Sequence, residues 1–185
     1  MALYCSSTRV ETQACTTSLI IDLQNDFTLD KGKVHACTYQ LQSIIEKLNQ
    51  TVEQRNKDKA LTALITTQWS NPLVRLLTKN SVKPGSFEAE VDARVSNEIK
   101  DHFIKPGKNI FTSKEFVNWL EMNEVEGLIF SGLALEHCII VSVNAAIAQG
   151  YTVFLLPEGL ASYKCGQREK YLLKLERIGA KLHVQ

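Results

Sequence analysis

Apolar residues along this chain come in two rhythms, short continuous runs and longer stretches with helical spacing, and the two alternate. The first run, Leu19-Ile-Ile21 within Ser18–Leu23, is flanked by polar segments and predicts a buried parallel strand. Leu41, Ile44, Ile45, Leu48 and Val52 then fall on one face of a helix. Leu61–Thr66 predicts a second buried strand, ending at Thr67-Gln-Trp-Ser70. From Asn71 to Lys100 neither rhythm holds, and Lys83-Pro-Gly85 marks a turn. His102–Lys105 reads as a short strand stopped by Pro106-Gly107, and Glu115–Met122 as a helix. Gly127–Gly132 predicts a strand and Glu136–Gln149 a helix, with Ile139, Val143, Ala146 and Ile147 on one face and Gly150 as its stop. A strand over Tyr151–Leu156, a helix over Gln167–Ile178 and a closing strand over Lys181–Val184 complete the series.

Strands alternating with helices predict an α/β fold. It has three layers, α/β/α, around a central, mostly parallel sheet of about six strands. Right-handed crossovers put helices on both faces, and ligands then sit at the carboxyl ends of the strands. No repeat, low-complexity tract or linker interrupts the chain. Residues 1–185 therefore read as a single domain, with 1–17 as a flexible or edge segment.

Composition narrows the possible partners. A hydrophobic fraction of 44% is that of an ordinary globular chain, and a net charge of +1 offers no field to attract nucleic acid. The longest apolar runs are too short to span a bilayer. Five widely spaced cysteines with no C-x-x-C pair argue against structural zinc or a redox couple. They point to a cytoplasmic protein in which each cysteine is judged alone. A small-molecule substrate is the expected partner, with no nucleic acid and no membrane.

Three reactive side chains fall where a strand ends or soon after: Asp22, Lys105 and Cys138. A carboxylate ending an apolar run is costly to bury unpaired, and a nearby lysine would offset that cost. Cys138 lies in the first turn of a predicted helix, where free N–H groups and the helix dipole favour an anion. The alternative for Cys138 is a small buried hydrophobe. Lys108 and Lys114 compete with Lys105, which is better placed because it ends its strand directly before Pro-Gly.

Several segments resemble one family. Ile20-Ile-Asp-Leu-Gln-Asn-Asp-Phe27 is similar to the opening motif of isochorismatase-like hydrolases, and Gly132-Leu-Ala-Leu-Glu-His-Cys138 to their nucleophile loop. Asn144-Ala-Ala146, Gly150-Tyr-Thr-Val153 and Pro84-Gly-Ser-Phe-Glu-Ala-Glu-Val91 resemble further parts, so the likeness runs from about Leu19 to Val184. It implies an isochorismatase-like, Rossmann-like fold and a catalytic set of Asp22 as base, Lys105 as its cationic partner and Cys138 as nucleophile. It also implies cleavage of a small amide or related C–N bond through a thioester, and a homo-oligomer, dimeric or larger. A non-proline cis peptide at Leu133–Ala134 is implied too, turning backbone N–H groups of Leu133, Ala134 and Cys138 toward an oxyanion. Asp26 is expected to fix its loop. Gln24, Phe27, Trp69, Phe111 and His137 are the expected pocket residues.

The chain departs from the family at one place with chemical weight. Nicotinamidases bind a metal through Asp-x-His after the second strand, and the matching Gln68-Trp-Ser-Asn-Pro72 has neither. The four histidines, His35, His102, His137 and His183, are isolated, so no metal and no other cofactor is expected. Leu135 and Glu158 also differ from the usual residues, which bears on substrate choice. Hydrolysis of a vinyl ether is the second enzymatic reading, and Cys138 argues against it because that reaction needs no thiol. A catalytically silent scaffold and a flavodoxin-like flavin binder are the non-hydrolytic readings. The acidic loop after the first strand disfavours the flavin's phosphate.

Overall fold

The computed structural model describes residues 15–34, 36–37 and 40–183. The N-terminal segment up to residue 14, His35, Val184 and Cys5 lie outside them. Six strands form one sheet: Thr16–Ile21 (β1), Thr62–Thr67 (β2), Asp101–Lys105 (β3), Gly127–Gly132 (β4), Thr152–Leu160 (β5) and Lys181–Leu182 (β6). All five pairings are parallel, in the order β3-β2-β1-β4-β5-β6. The chain therefore winds outward in both directions from β1 and β4, and the cleft above their carboxyl ends is where such sheets bind ligands.

Burial explains the layering. β1, β2 and β4 are covered on both faces, which is why they read as continuous apolar runs rather than alternating ones. Leu41–Lys57 (α2) lays Leu41, Ile44, Ile45, Leu48 and Val52 against Ile20, Leu64 and Ile129. Lys114–Met122 (α4), Ile140–Ala148 (α5) and Arg168–Arg177 (α6) cover the other face, where Phe116, Val143 and Leu172 meet Leu19, Ile21 and Phe130. Asn25–Thr28 (α1) is a single turn after β1. No helix among the described residues is long and apolar enough to cross a membrane.

Three elements differ from the sequence reading. Pro72–Leu77 (α3) is a helix inside the stretch without rhythm, capped by the Asn71 side chain, and it buries none of its residues, so it leaves no periodic signal. Strand β5 continues past Leu156 to Leu160. Pro157 cannot donate to the ladder, and the register shifts between Phe130 and Gly132 to accommodate it. A π-helical turn, Leu135–Ile139, precedes α5 where one continuous helix was expected.

The cysteines also differ. Cys37 and Cys165 form a disulfide across 128 residues of sequence, whereas Cys138 is a free thiol. The expectation that each cysteine stands alone fails for this pair. Such bonds belong to oxidising surroundings, so the cysteine argument for a cytoplasmic location loses its basis.

Gly132 fixes the junction between sheet and site. Its φ of +101° suits glycine, and a Cβ there would lie 2.1 Å from the Ile21 carbonyl oxygen. Gly132→Ala should therefore destabilise the fold by about 3 kcal/mol. Urea unfolding monitored by circular dichroism would measure it, and a change below about 0.5 kcal/mol, the range of ordinary surface substitutions, would show the junction to be pliable.

Candidate active site

The site grows from three strand ends and one turn. Asp22 follows β1 with φ at +58°, a left-handed conformation rare outside glycine but best tolerated by Asp and Asn. Its N–H donates to Ile65 O at 2.8 Å, tying the bend to β2. Lys105 ends β3, and its side chain is fully buried. Cys138 is half-buried in the π-helical turn after β4.

Lys105 brings the three together. Its ammonium donates to Asp22 Oδ2 at 2.9 Å, to Cys138 Sγ at 3.3 Å, to Gly107 O at 3.2 Å and to Thr67 Oγ1. Thr67 Oγ1 in turn donates to Asp22 Oδ1 at 2.8 Å. Asp22 and Lys105 do not sit on neighbouring strands. Strand β2 lies between them, and Thr67 at its end carries the connection. Sequence reasoning missed Thr67, since threonine in a strand is ordinary.

The electrostatics follow from this packing. Burial alone would lower the pKa of the Lys105 ammonium, but the Asp22 carboxylate and the Cys138 sulfur outweigh it and hold that pKa above its ordinary value. Burial and the Asp22 charge push the Cys138 thiol up to about 12, against a smaller opposite pull from Lys105. The resting site is thus a thiol beside a carboxylate–ammonium pair, with the thiol in hydrogen-bonding reach of Asp22. This is not the helix-end thiolate that Cys138's position suggests when taken alone.

The nucleophile loop departs from its expected geometry. Among the described residues every peptide bond is trans, so Leu133–Ala134 is not cis. The Leu133 N–H donates to Ile21 O at 2.8 Å and is not free for an oxyanion. The Ala134 carbonyl accepts from His137 and Ile139, passing over the Cys138 amide between them. Ala134 and Cys138 both line the cavity.

That cavity, of about 550 Å³, opens over the strand ends. Phe27, Trp69 and His137 line it together with Leu133, Tyr163 and Thr67. Gln24 and Phe111 do not. Gln24 is fully buried, with its amide donating to Thr67 O and Ala89 O and accepting from Thr67 N, so it braces the strand ends. Phe111 stacks on Tyr151 with centroids 5.6 Å apart and packs into the core. Asp26 is buried and accepts from Lys33 N, Val82 N and Ser81 Oγ, which holds the cavity-side loops.

Glu136 performs a similar office on the other side. Burial pushes its carboxyl up, but donors from Ser162, Tyr163 and Lys164 outweigh that and hold it below the usual range. The His137 ring, 5.9 Å from that of Tyr163, is depressed by burial and then by Lys108. No three His, Cys, Asp or Glu side chains cluster among the described residues. Gln68, Trp69 and Ser70 supply no carboxylate or imidazole, so this donor set does not fit a catalytic metal.

A parallel α/β sheet whose central cleft holds a buried carboxylate, ammonium and thiol in mutual contact defines a hydrolase-type nucleophile site. The chain belongs to the isochorismatase family of hydrolases, matching its isochorismatase domain over residues 16–183. Solved structures agree on the fold. An isochorismatase-like hydrolase from Alkaliphilus metalliredigens is 20% identical with a TM-score of 0.79, over 92% of this chain and 95% of that one. Nicotinamidase from Bacillus subtilis is 17% identical with a TM-score of 0.78, over 92% and 99%. Pyrazinamidase of Pyrococcus horikoshii, solved in complex with zinc, is 18% identical with a TM-score of 0.76, over 92% and 99%. No curated protein sequence is similar enough to match.

Proposed function

We propose that the protein is a cysteine hydrolase that cleaves a small amide or related C–N bond through a thioester on Cys138. The observation that carries this reading is the Lys105 ammonium, in contact with both Asp22 and Cys138 at the floor of an apolar cavity. Asp22 takes the thiol proton as sulfur attacks the carbonyl carbon. The C–N bond then breaks, and the amine leaves with the proton from Asp22. Water attacks the thioester, Asp22 accepts its proton, and the departing sulfur takes that proton back. Lys105 pairs with the Asp22 carboxylate between steps, and Thr67 holds the carboxylate in line with the thiol. The similarity to a nicotinamidase and a pyrazinamidase supports an amide as the substrate.

Acid quenching during turnover of a small-amide panel tests this. Intact-mass analysis should show an acyl adduct, mapped by digestion to Cys138. Turnover with an adduct elsewhere, or with none under single-turnover conditions, would exclude the thioester route.

A further inference from the structure

We infer that the substrate carries an anionic group, such as a carboxylate, remote from the scissile bond, and that Lys108 receives it at the cavity mouth with His137 alongside. The inference deepens the hydrolase reading and rests on it for the word substrate, but the site itself is argued from charge placement.

The cavity has more room than a bare amide needs, and its walls at Phe27, Trp69, Leu133 and Tyr163 suit a body the size of a ring or short chain. Two charged side chains line it, Asp22 and Lys108. The Asp22 charge is answered by Lys105 at 2.9 Å. Lys108 is exposed, and no ion pair to it is found among the described residues. Lys108 and His137 both line the cavity, and the Lys108 charge is one of those that act on the imidazole.

The acid beside His137 in sequence forms no ion pair with Lys108. Glu136 is committed to Ser162 Oγ at 2.6 Å, Tyr163 N at 2.9 Å and Lys164 N at 3.0 Å. The cavity lining therefore carries one positive side chain, Lys108, with no ion-pair partner among the described residues. A ligand with a carboxylate at its far end would pair with Lys108 and accept from His137, while its amide reaches Cys138. A neutral amide leaves that charge unanswered. Lys108 is exposed to water, so the preference is modest, about tenfold for one charge-assisted hydrogen bond.

Binding can be read without turnover, from Trp69 fluorescence, because that indole lines the cavity. The probes are succinamate and 4-carbamoylbenzoate, set against their neutral counterparts butanamide and benzamide. At least one anionic amide should bind about tenfold more tightly than its neutral partner. In Lys108→Met that preference should vanish, with the neutral amide's affinity unchanged. Equal binding of both members of each pair to the wild type, no binding of any, or a preference that survives in Lys108→Met would overturn the assignment. If the preference behaves as expected and no acyl adduct forms on Cys138, the anion site stands and the hydrolase reading alone falls.

Discussion

Asp22→Asn should lower kcat/KM by about 10³-fold or more, the scale of a lost acid–base group, and Cys138→Ala should cost at least as much. The asparagine variant is informative because it changes charge and little else. Asn tolerates the left-handed φ of +58° as readily as Asp, so the bend after β1 survives. Its carbonyl oxygen can still accept from Thr67 or Lys105. What disappears is the proton acceptor and the negative charge.

These two losses have opposite effects on the sulfur. Asp22 is a main reason the thiol sits at about 12, and Lys105 is the group pulling it down. With Asp22 neutral, the buried ammonium has the sulfur as its nearest available counter-ion, at 3.3 Å. The Cys138 pKa in Asp22→Asn should therefore fall well below the wild-type value. Iodoacetamide labelling of Cys138 near neutral pH should become faster as hydrolysis is lost. A role for Asp22 as base to the thiol in the free enzyme gives the opposite sign. Stopped labelling followed by peptide mass mapping across pH 6–10, about the range that spans free-thiol titration, decides between them. Slower labelling in the variant would mean that Asp22 activates the thiol even in the absence of substrate.

What was legible in the sequence tracks how local each signal is. Asp22, Lys105 and Cys138 could be read because each follows an apolar run, and a polar residue there has few structural uses. Thr67 was not legible. Its importance comes from β2 lying between β1 and β3, and strand order is a property of the whole sheet. Gln24 and Phe111 illustrate the converse. Residue type suggested a pocket, but an amide can be consumed by three backbone bonds and a phenyl ring by its aromatic neighbours. Helix α3 left no trace because Leu73, Leu76 and Leu77 are all exposed, so its leucines do not mark a buried stripe. The Cys37–Cys165 bond joins positions that no spacing rule connects.

Removing that bond should cost about 4–5 kcal/mol of stability, because it closes a loop of 128 residues in the unfolded chain. The double variant Cys37→Ser/Cys165→Ser isolates it without a reductant. The loss should extend into the site through a short series of contacts. Cys37 N–H donates to Ser162 O at 3.3 Å, and Ser162 and Tyr163 are held by Glu136 within the nucleophile turn. Ala36 and Tyr163, each beside this clamp, line the cavity. The Lys105–Asp22 pair is built from the ends of β1 and β3 and makes no hydrogen bond to the clamp. The double variant should therefore raise KM for whatever amide the enzyme turns over, with kcat reduced less. Guanidinium unfolding curves and steady-state kinetics on the same preparation test both halves. A stability change below about 1 kcal/mol would mean that the unfolded chain gains little freedom when the bond is absent. A kcat loss larger than the rise in KM would place the clamp's influence on Cys138 itself rather than on the cavity wall.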